Sequence, residues 1–249
     1  MKNLIYIVAI DDPNAKVSVN DFFQYAKPTW QQYCQRHGID LIIQTEHQFD
    51  SSFKPIWNKE LIHQIGVGYD KIGIVDSDTM VKWDTPNIFN IIPNHAFCGV
   101  NDIADLNWLM NSIADRQKFF PDTTMDLDLY INAGSIFFSK EYLYIFIMLL
   151  SLYRENKGEI DALQGGGKEQ TLLNFILQQE DIPLHLLTPE WNLLSIHRKN
   201  MFQNNWQLKL DPTPYFIKYA YIWHFTGFPI EQRVDIMKSV WESTKTFYQ

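Results

Sequence analysis

The chain has 249 residues, enough for one sizeable α/β domain or two small ones, and it is 46% hydrophobic, so it can bury a large core. Its formal net charge is −8 and no basic block or stripe is present, which argues against nucleic acid as a partner. The two cysteines, Cys34 and Cys98, lack metal-ligand spacing and form no disulfide framework. We therefore expect a reducing, cytoplasmic compartment.

No internal repeat, low-complexity tract or linker interrupts the sequence, so we expect a single domain over residues 1–249. The apolar stretch Leu4–Ile10 is short and runs into Asp11 and Asp12 without a small-residue cleavage site, unlike a secretory signal. The most apolar stretch, Tyr142–Leu152, falls short of the roughly 18 residues that a membrane span needs. It predicts a buried helix and no transmembrane segment.

The first predicted element is a buried parallel strand at Leu4–Ile10. Its carboxyl end, with Val8, Ala9 and Ile10, is where a nucleotide base or ribose docks in many α/β sheets, and a plain polar turn is the equal alternative.

A helix is predicted next, from Pro28 in its first turn to a stop at Gly38, because apolar residues recur there at helical spacing. A second strand follows at Asp40–Gln44. The segment Ser51–Tyr69 contains a further predicted helix, and Lys59 lies off its apolar stripe. The pattern alone favours a solvated Lys59 over one that reaches a phosphate or a carboxylate.

The next predicted strand, Ile72–Val75, is a short apolar run of the kind that forms a buried central strand. It ends in Asp76, Ser77 and Asp78, which places two carboxylates one residue apart at the carboxyl end of a strand. Unpaired burial of such charge is costly, and hard divalent cations such as Mg²⁺ or Mn²⁺ prefer oxygen ligands. The alternative is an aspartate that caps the following turn.

The middle of the chain combines two strands with a long acidic segment. Strands are predicted at Ala96–Val100 and Ile131–Phe138, and Gly134 in the second indicates a close approach of backbone or ligand. The segment Asn101–Asp128 lacks clear periodicity, which is typical of a functional loop or lid. Ser139 is predicted to cap a helix at residues 141–156.

The last third of the chain begins with three glycines at 165–167, which precede Glu169, Gln170 and a predicted helix. No Walker-type spacing accompanies these glycines. Short extended pieces follow at His185–Leu187 and Trp191–Leu194. A last strand, Tyr221–Phe225, carries His224, and helical spacing from Val234 to Tyr248 predicts an amphipathic helix.

Five short motifs occur along the chain in a recognisable order. They are D-S-D at 76–78, I-N-A-G-S at 131–135, G-G-K-E-Q-x-x-L-N at 166–174, T-P-E-W-N at 188–192 and H-F-T-G at 224–227. Together they resemble the GT-A glycosyltransferases, and in particular the glycogenin-like family with its bacterial lipopolysaccharide galactosyltransferases. The resemblance covers nearly the whole chain and implies the GT-A fold, a mixed, mostly parallel central sheet flanked by helices.

The resemblance implies a metal and donor site. By it, Asp76, Asp78 and His224 bind Mn²⁺ (or Mg²⁺) and, through the metal, the diphosphate of a nucleotide sugar, with Ser77 between the two aspartates. It also implies that Lys59 contacts the donor nucleotide and that Gly227, in the H-F-T-G motif, belongs to the donor site.

The sugar side of the site is implied in the same way. Asn132 and Gly134 correspond to residues that line the sugar and the acceptor, and Glu169 with Gln170 corresponds to the family's Asp-Gln pair at the reacting sugar. One departure is this Glu in place of Asp. The other is Ile230, where the family's H-F-x-G-x-x-K-P-W pattern has the lysine that grips the pyrophosphate; Arg233 is the candidate substitute.

The expected function is transfer of a hexose from a nucleotide sugar, UDP-linked by the resemblance, to the hydroxyl of a glycan, lipid-linked or protein acceptor, with retention. Two alternatives stay open. A nucleotidyltransferase would have glycines and basic residues after the first strand, where residues 11–13 read D-D-P. A catalytically inactive sugar-nucleotide-binding protein is compatible with Ile230. If Glu169 and Gln170 are not catalytic, the acidic candidates are Asp102, Asp105 and Asp128.

Overall fold

The structure is a computed structural model that describes residues 1–103, 105–163, 167–194, 196 and 214–248. Two of the three glycines of the predicted loop, Gly165 and Gly166, lie outside the described residues. In chain order the strands are β1 (Asn3–Val8), β2 (Asp40–Gln44), β3 (Lys71–Asp76), β4 (Thr79–Val81), β5 (Phe97–Asn101), β6 (Ile131–Ser139), β7 (Leu184–Leu187) and β8 (Ile222–His224). The α-helices are α1 (Val19–His37), α2 (Ile62–Ile65), α3 (Leu106–Arg116), α4 (Leu143–Ala162), α5 (Lys168–Gln179), α6 (Tyr215–Tyr219) and α7 (Ile230–Thr244).

The central sheet has six strands in the order β2-β1-β3-β6-β5-β7. Every neighbouring pair is parallel except the two pairs that involve β6, which runs antiparallel to β3 and to β5. Helices α1 and α7 cover one face, where Ile5 and Val75 are buried, and α4 and α5 cover the other, where Tyr6 and Ile74 are buried. Burial on both faces explains why β1 and β3 are continuous apolar runs. The predicted mixed, mostly parallel α/β sheet flanked by helices is confirmed.

A small second sheet crosses the end of β3. Strand β4 pairs with β8 antiparallel, so that Thr79 lies opposite His224. The backbone N–H of Phe225 donates to the carbonyl oxygen of Asp78 at 3.0 Å. Pairing across about 145 residues of sequence therefore sets His224 beside the second aspartate of the D-S-D motif.

The prediction that Pro28 opens the first helix is wrong. Helix α1 begins at Val19, where Ser18 and Asp21 form a capping box, and Pro28 lies in its interior. An interior proline costs about 3 kcal/mol. Burial of Phe22 and Phe23 offsets that cost, because burying one such side chain contributes about 1.5–3 kcal/mol. Gly38 ends the helix in a left-handed conformation with φ 62°, as predicted.

The acid-rich segment Asn101–Asp128 is not irregular as predicted, because it contains α3. Asp105 caps this helix by accepting the N–H of Trp108 at 3.0 Å. Apolar residues recur at helical spacing in α3, at positions 106, 109, 110 and 113, so the sequence does contain the helical period. Leu109 and Ile113 are buried, and Leu106 and Met110 beside them are exposed.

Two smaller expectations concern the region around α4. The predicted helix over Tyr142–Leu152 is confirmed within α4 and the 3₁₀ turn that precedes it, but it is buried on one side only, since Tyr144 and Ile147 are exposed. None of the helices in the described part of the chain combines the length and apolarity that crossing a membrane requires. The predicted Ser139 cap is wrong, because the Ser139 hydroxyl accepts the N–H of His95 instead.

Candidate active site

The carboxyl end of β3 is the point on which the polar side chains converge. Asp76 ends this strand and lies directly opposite Val8 of β1 in the parallel register. Because β6 is antiparallel, its first residues lie at the same edge of the sheet, where Ser135 lies opposite Val75 and Gly134 immediately precedes Ser135. The reversed strand thus places the start of the I-N-A-G-S motif next to the D-S-D motif.

Asp76, Asp78 and His224 form a candidate metal site. Each offers one ligand atom, and the three atoms lie within 4.8 Å of one another. The Nε2 atom of His224 is 3.3 Å from Asp78 Oδ1 and 3.8 Å from Asp76 Oδ2. Two ligands bound at right angles to a Mg²⁺-sized ion at about 2.1 Å lie about 3 Å apart, so the two distances from His224 are slightly longer than such an ion requires.

The second oxygen of each aspartate is taken by a cation of the chain. Lys59 Nζ pairs with Asp76 Oδ1, and Arg233 Nη1 lies 2.8 Å from Asp78 Oδ2. Each carboxylate therefore presents one oxygen to His224 and holds an internal counter-ion with the other. Outer partners of this kind orient metal ligands, so the residues present fit a divalent cation.

Lys59 is buried, and the prediction of a solvated lysine is wrong. Its side chain is 6% exposed and lies 3.7 Å from Glu169 as well as against Asp76. Burial alone would lower the pKa of Lys59, but Asp76 and Glu169 outweigh it and hold the pKa above its ordinary value. The 3₁₀ helix Pro55–Leu61 turns Lys59 inwards, whereas a regular α-helix was expected there.

The same balance of burial and charge acts on two carboxyl groups. Burial alone would raise the pKa of Asp78, but His224 and Arg233 outweigh it and hold that pKa well below its usual range. Glu60, next to Lys59, is the opposite case, because burial and Glu169 raise its pKa well above the usual range. Nothing in the sequence pattern distinguished Glu60 from a surface acid.

Gly134 allows the metal ligands to meet. A Cβ atom at this position would collide with the imidazole ring of His224 and lie 2.7 Å from Asp76 Oδ2. Any side chain would therefore push the two ligands apart. The close approach at this glycine comes from side chains and not from the backbone or ligand that was predicted, and these side chains include two of the proposed metal ligands.

A saturated amide network lies on the sugar side of the metal ligands. Gln170 Oε1 accepts from Asn132 Nδ2 at 3.0 Å and from the N–H of Ala133 at 3.1 Å. Gln170 Nε2 donates to Asp102 Oδ2 at 3.0 Å and to the Tyr130 hydroxyl at 3.3 Å. Both lone pairs and both protons of the Gln170 amide are thus used within the protein.

Asp102 uses one of its two carboxylate oxygens to bond to this network. Its Oδ2 accepts from Asn132 and Gln170, both at 3.0 Å, whereas Oδ1 has no hydrogen-bond partner within the described ranges. The side chain is half-buried. Asp102 was named from the sequence only as a fallback, and its place beside Gln170 depends on β5 ending next to the start of β6.

The remaining predicted site residues surround this centre less tightly. Val8 and Ile10 are half-buried at the end of β1, and the N–H of Ala9 donates to the carbonyl of Gln44. Ser77 is half-buried between the two aspartates. Gly227 is exposed just beyond β8 with φ 80°, a backbone conformation that favours glycine.

Searches by sequence find no relative, because no model of a protein family and no curated protein matches the chain. Solved structures do match. A glycosyltransferase involved in glycosylation of the major capsid of PBCV-1 superposes with a TM-score of 0.59 at 15% identity, over 94% of this chain and 98% of that one. The galactosyltransferase LgtC, solved with donor and acceptor sugar analogs, superposes with a TM-score of 0.55 at 13% identity, over 97% and 96%.

A third similar structure is the bifunctional glycosyltransferase WbbM, with a TM-score of 0.59 at 16% identity. This chain is covered over 99% of its length but spans only 51% of WbbM. Each of the three is a glycosyltransferase, and the likeness extends over the whole α/β architecture. The chain therefore has the GT-A glycosyltransferase fold that the five motifs predicted.

Proposed function

We propose that the chain is a metal-dependent glycosyltransferase that moves a hexose from a UDP-linked sugar to a hydroxyl group, with retention of configuration. The observation that carries the proposal is the meeting of Asp76, Asp78 and His224 at the carboxyl end of β3. Ligands bind at this edge of open α/β sheets. The resemblance in the motifs and the shared GT-A fold support the same reaction class.

The charges of the site suit an anionic leaving group. Lys59 and Arg233 balance the two aspartates, and Glu169 adds one further negative charge. A bound Mn²⁺ or Mg²⁺ would reverse the sign of the site and supply a Lewis acid where the diphosphate develops charge. Asp76, Asp78 and His224 would hold the ion, while Lys59 and Arg233 keep the aspartates oriented.

The sugar would lie towards Glu169 and Asp102. Both carboxylates can stabilise the positive charge of an oxocarbenium-like transition state. In this proposal Glu169 faces the reacting sugar, and Gln170 contributes by holding Asp102 in place with its saturated amide. The acceptor we propose is the hydroxyl of a glycan, a lipid-linked sugar or a protein.

Two other features bear on the setting of the reaction. Cys34 and Cys98 are both buried free thiols, which supports the proposed reducing, cytoplasmic compartment. The turn after β1 does not support a nucleotidyltransferase, because Asp11 Oδ1 caps α1 by accepting from Ser18 and Val19. The turn carries negative charge, and Asp11 is already hydrogen-bonded to α1, so the turn is poorly suited to bind a phosphate.

The test is a thermal-shift screen of nucleotides and nucleotide sugars with and without Mn²⁺. The true donor should raise the melting temperature only with the metal, because a ligand that binds the folded state stabilises it. Hydrolysis of that donor in the absence of acceptor would then distinguish an enzyme from an inactive binder. A donor that binds equally well without Mn²⁺, or to Asp76→Asn, contradicts the proposal.

A further inference from the structure

We propose that Asn132 and Asn192 are positioning residues that hold a proton on Nδ1 of His224 and direct Nε2 to the cation. The inference rests on the proposed function in one respect, because it takes this cation to be the metal that binds the nucleotide-sugar donor. It is carried by the polarity of a hydrogen-bond chain that runs from Asp102 through both asparagines to His224.

The orientation of the Asn132 amide follows from groups whose polarity is certain. The ionised carboxylate of Asp102 only accepts, so the atom 3.0 Å from it must be the Asn132 amide nitrogen. The backbone N–H of Gly134 only donates, so the atom 2.8 Å from it must be the Asn132 oxygen. Two independent partners therefore give the same orientation.

The orientation of the Asn192 amide follows from that of Asn132. The Asn132 oxygen can only accept, so the Asn192 atom 3.0 Å away is its amide nitrogen. The Asn192 oxygen is then the atom that lies 3.0 Å from His224 Nδ1. An amide oxygen cannot donate, and the proton of this hydrogen bond must belong to Nδ1.

A proton on Nδ1 determines what Nε2 can do. The neutral ring keeps its lone pair on Nε2, the atom that faces Asp76 and Asp78. A lone pair opposite two carboxylates is repelled unless a cation lies between them. The tautomer set by Asn192 is thus the one that a metal ligand requires.

The hydrogen bonds of Asn132 give this residue a different role from the one that its motif implied. Its oxygen accepts from Gly134 and Asn192, and its nitrogen donates to Asp102 and Gln170. All four hydrogen-bonding positions of the amide are occupied, and the residue is 6% exposed. Asn132 therefore acts by joining Gln170 and Asp102 to the metal ligand, not by contacting the donor through its amide.

The first experiment reads the tautomer directly. The metal-free protein, labelled with ¹⁵N-histidine, is examined by NMR at a pH of about 8.5, two units above the ordinary imidazole pKa of about 6.5. The His224→Gln variant assigns the signals among the seven histidines of the chain. We expect a protonated Nδ1. A bare Nδ1 with a protonated Nε2 in the wild-type protein overturns the inference.

The second experiment measures Mn²⁺ affinity by calorimetry without nucleotide. Asn192→Ala should lose the Nδ1–H preference and bind Mn²⁺ about 10- to 100-fold more weakly, the usual effect of losing an outer partner of a metal ligand. Asn192→Asp keeps an acceptor for Nδ1–H and should retain the wild-type tautomer. Wild-type affinity and tautomer in Asn192→Ala would also overturn the inference.

The matched control is Asn174→Ala. Asn174 is a buried asparagine of α5 whose amide bonds to the backbone of Ile131 and Gln170, outside the chain that ends at His224. We expect it to lower the melting temperature and to leave tautomer and Mn²⁺ affinity unchanged; a changed tautomer would mean that general loosening, not Asn192, controls His224. If the tautomer and the Mn²⁺ affinities are as expected but no donor is turned over, the result contradicts the proposed function and leaves this inference standing.

Discussion

The two edges of the central sheet carry similar residue types in different surroundings. At the carboxyl edge His224 faces Asp78, with side chains 3% and 10% exposed. At the amino edge His95 contacts Glu141, with side chains 84% and 38% exposed, and Lys140 pairs with Asp70 nearby.

The difference shows what makes a site out of common residues. Exposed pairs such as His95–Glu141 are solvated and contribute about 0–1 kcal/mol. Buried carboxylates cannot rely on water, so they need cations from the chain or from solution. The two edges carry similar residue types. The carboxyl edge differs because its charged side chains are buried and lie close to one another.

The largest expected effect comes from removing the buried cation of this edge. Lys59→Met leaves Asp76 and Glu169 without their counter-ion, and we expect a loss of about 3–5 kcal/mol in the free energy of unfolding. Denaturant unfolding measures it. Lys140→Met at the amino edge should cost little, because its side chain is 56% exposed. Equal losses would abolish the contrast between the edges.

Removal of a metal ligand should act on binding more than on folding. Asp78→Asn should weaken Mn²⁺-dependent UDP binding by more than about 100-fold, the upper range for loss of an outer partner, while the fold is kept. Calorimetry with and without Mn²⁺ measures this change. Glu141→Gln is the amino-edge control and should bind as the wild type does. Unchanged metal-dependent affinity in Asp78→Asn would contradict the site.

A methyl group at Gly134 tests the packing of the same site. Gly134→Ala forces the new Cβ against His224 and Asp76, which should cost about 1–3 kcal/mol of stability and disrupt Mn²⁺ binding. Gly158→Ala is the control, because its Cβ would meet no atom within 4 Å in α4, and it should be neutral or stabilising by up to about 1 kcal/mol. Thermal unfolding of both variants measures these changes in stability. An unchanged stability in Gly134→Ala would contradict the close packing of His224 and Asp76 against this glycine.

The last prediction is a pH dependence of stability that comes from Glu60. Its pKa is raised in the folded state, so the folded protein holds a proton that the unfolded chain releases above about pH 4.3. Stability from this proton is complete below that pH and is lost as the pH rises towards the folded pKa, at about 1.4 kcal/mol per unit. Glu60→Gln should remove this slope in unfolding curves measured from pH 5 to 8. An unchanged slope means that Glu60 is ionised when folded.

Local patterns in the sequence determined much of the sheet. Apolar runs located β1, β2 and β3, and Gly38 marked the end of α1, since burial and a left-handed turn depend on a few adjacent residues. The five ordered motifs predicted the GT-A fold and the grouping of Asp76 and Asp78 with His224. Helix α3 was not predicted, although Leu106, Leu109, Met110 and Ile113 recur at helical spacing and the sequence therefore contains its signal.

The tertiary structure alone decided which of these residues act on one another. Lys59 reads as a surface lysine by its spacing, yet it is buried against Asp76 and Glu169, which are 17 and 110 residues away in sequence. Asn192 ends the T-P-E-W-N motif, but the sequence does not show its partner, and it is the bridge between Leu193 and Trp223 that sets it beside His224. Charge pairing and hydrogen-bond polarity act over a few ångströms in space. Only the folded chain brings those partners within that range.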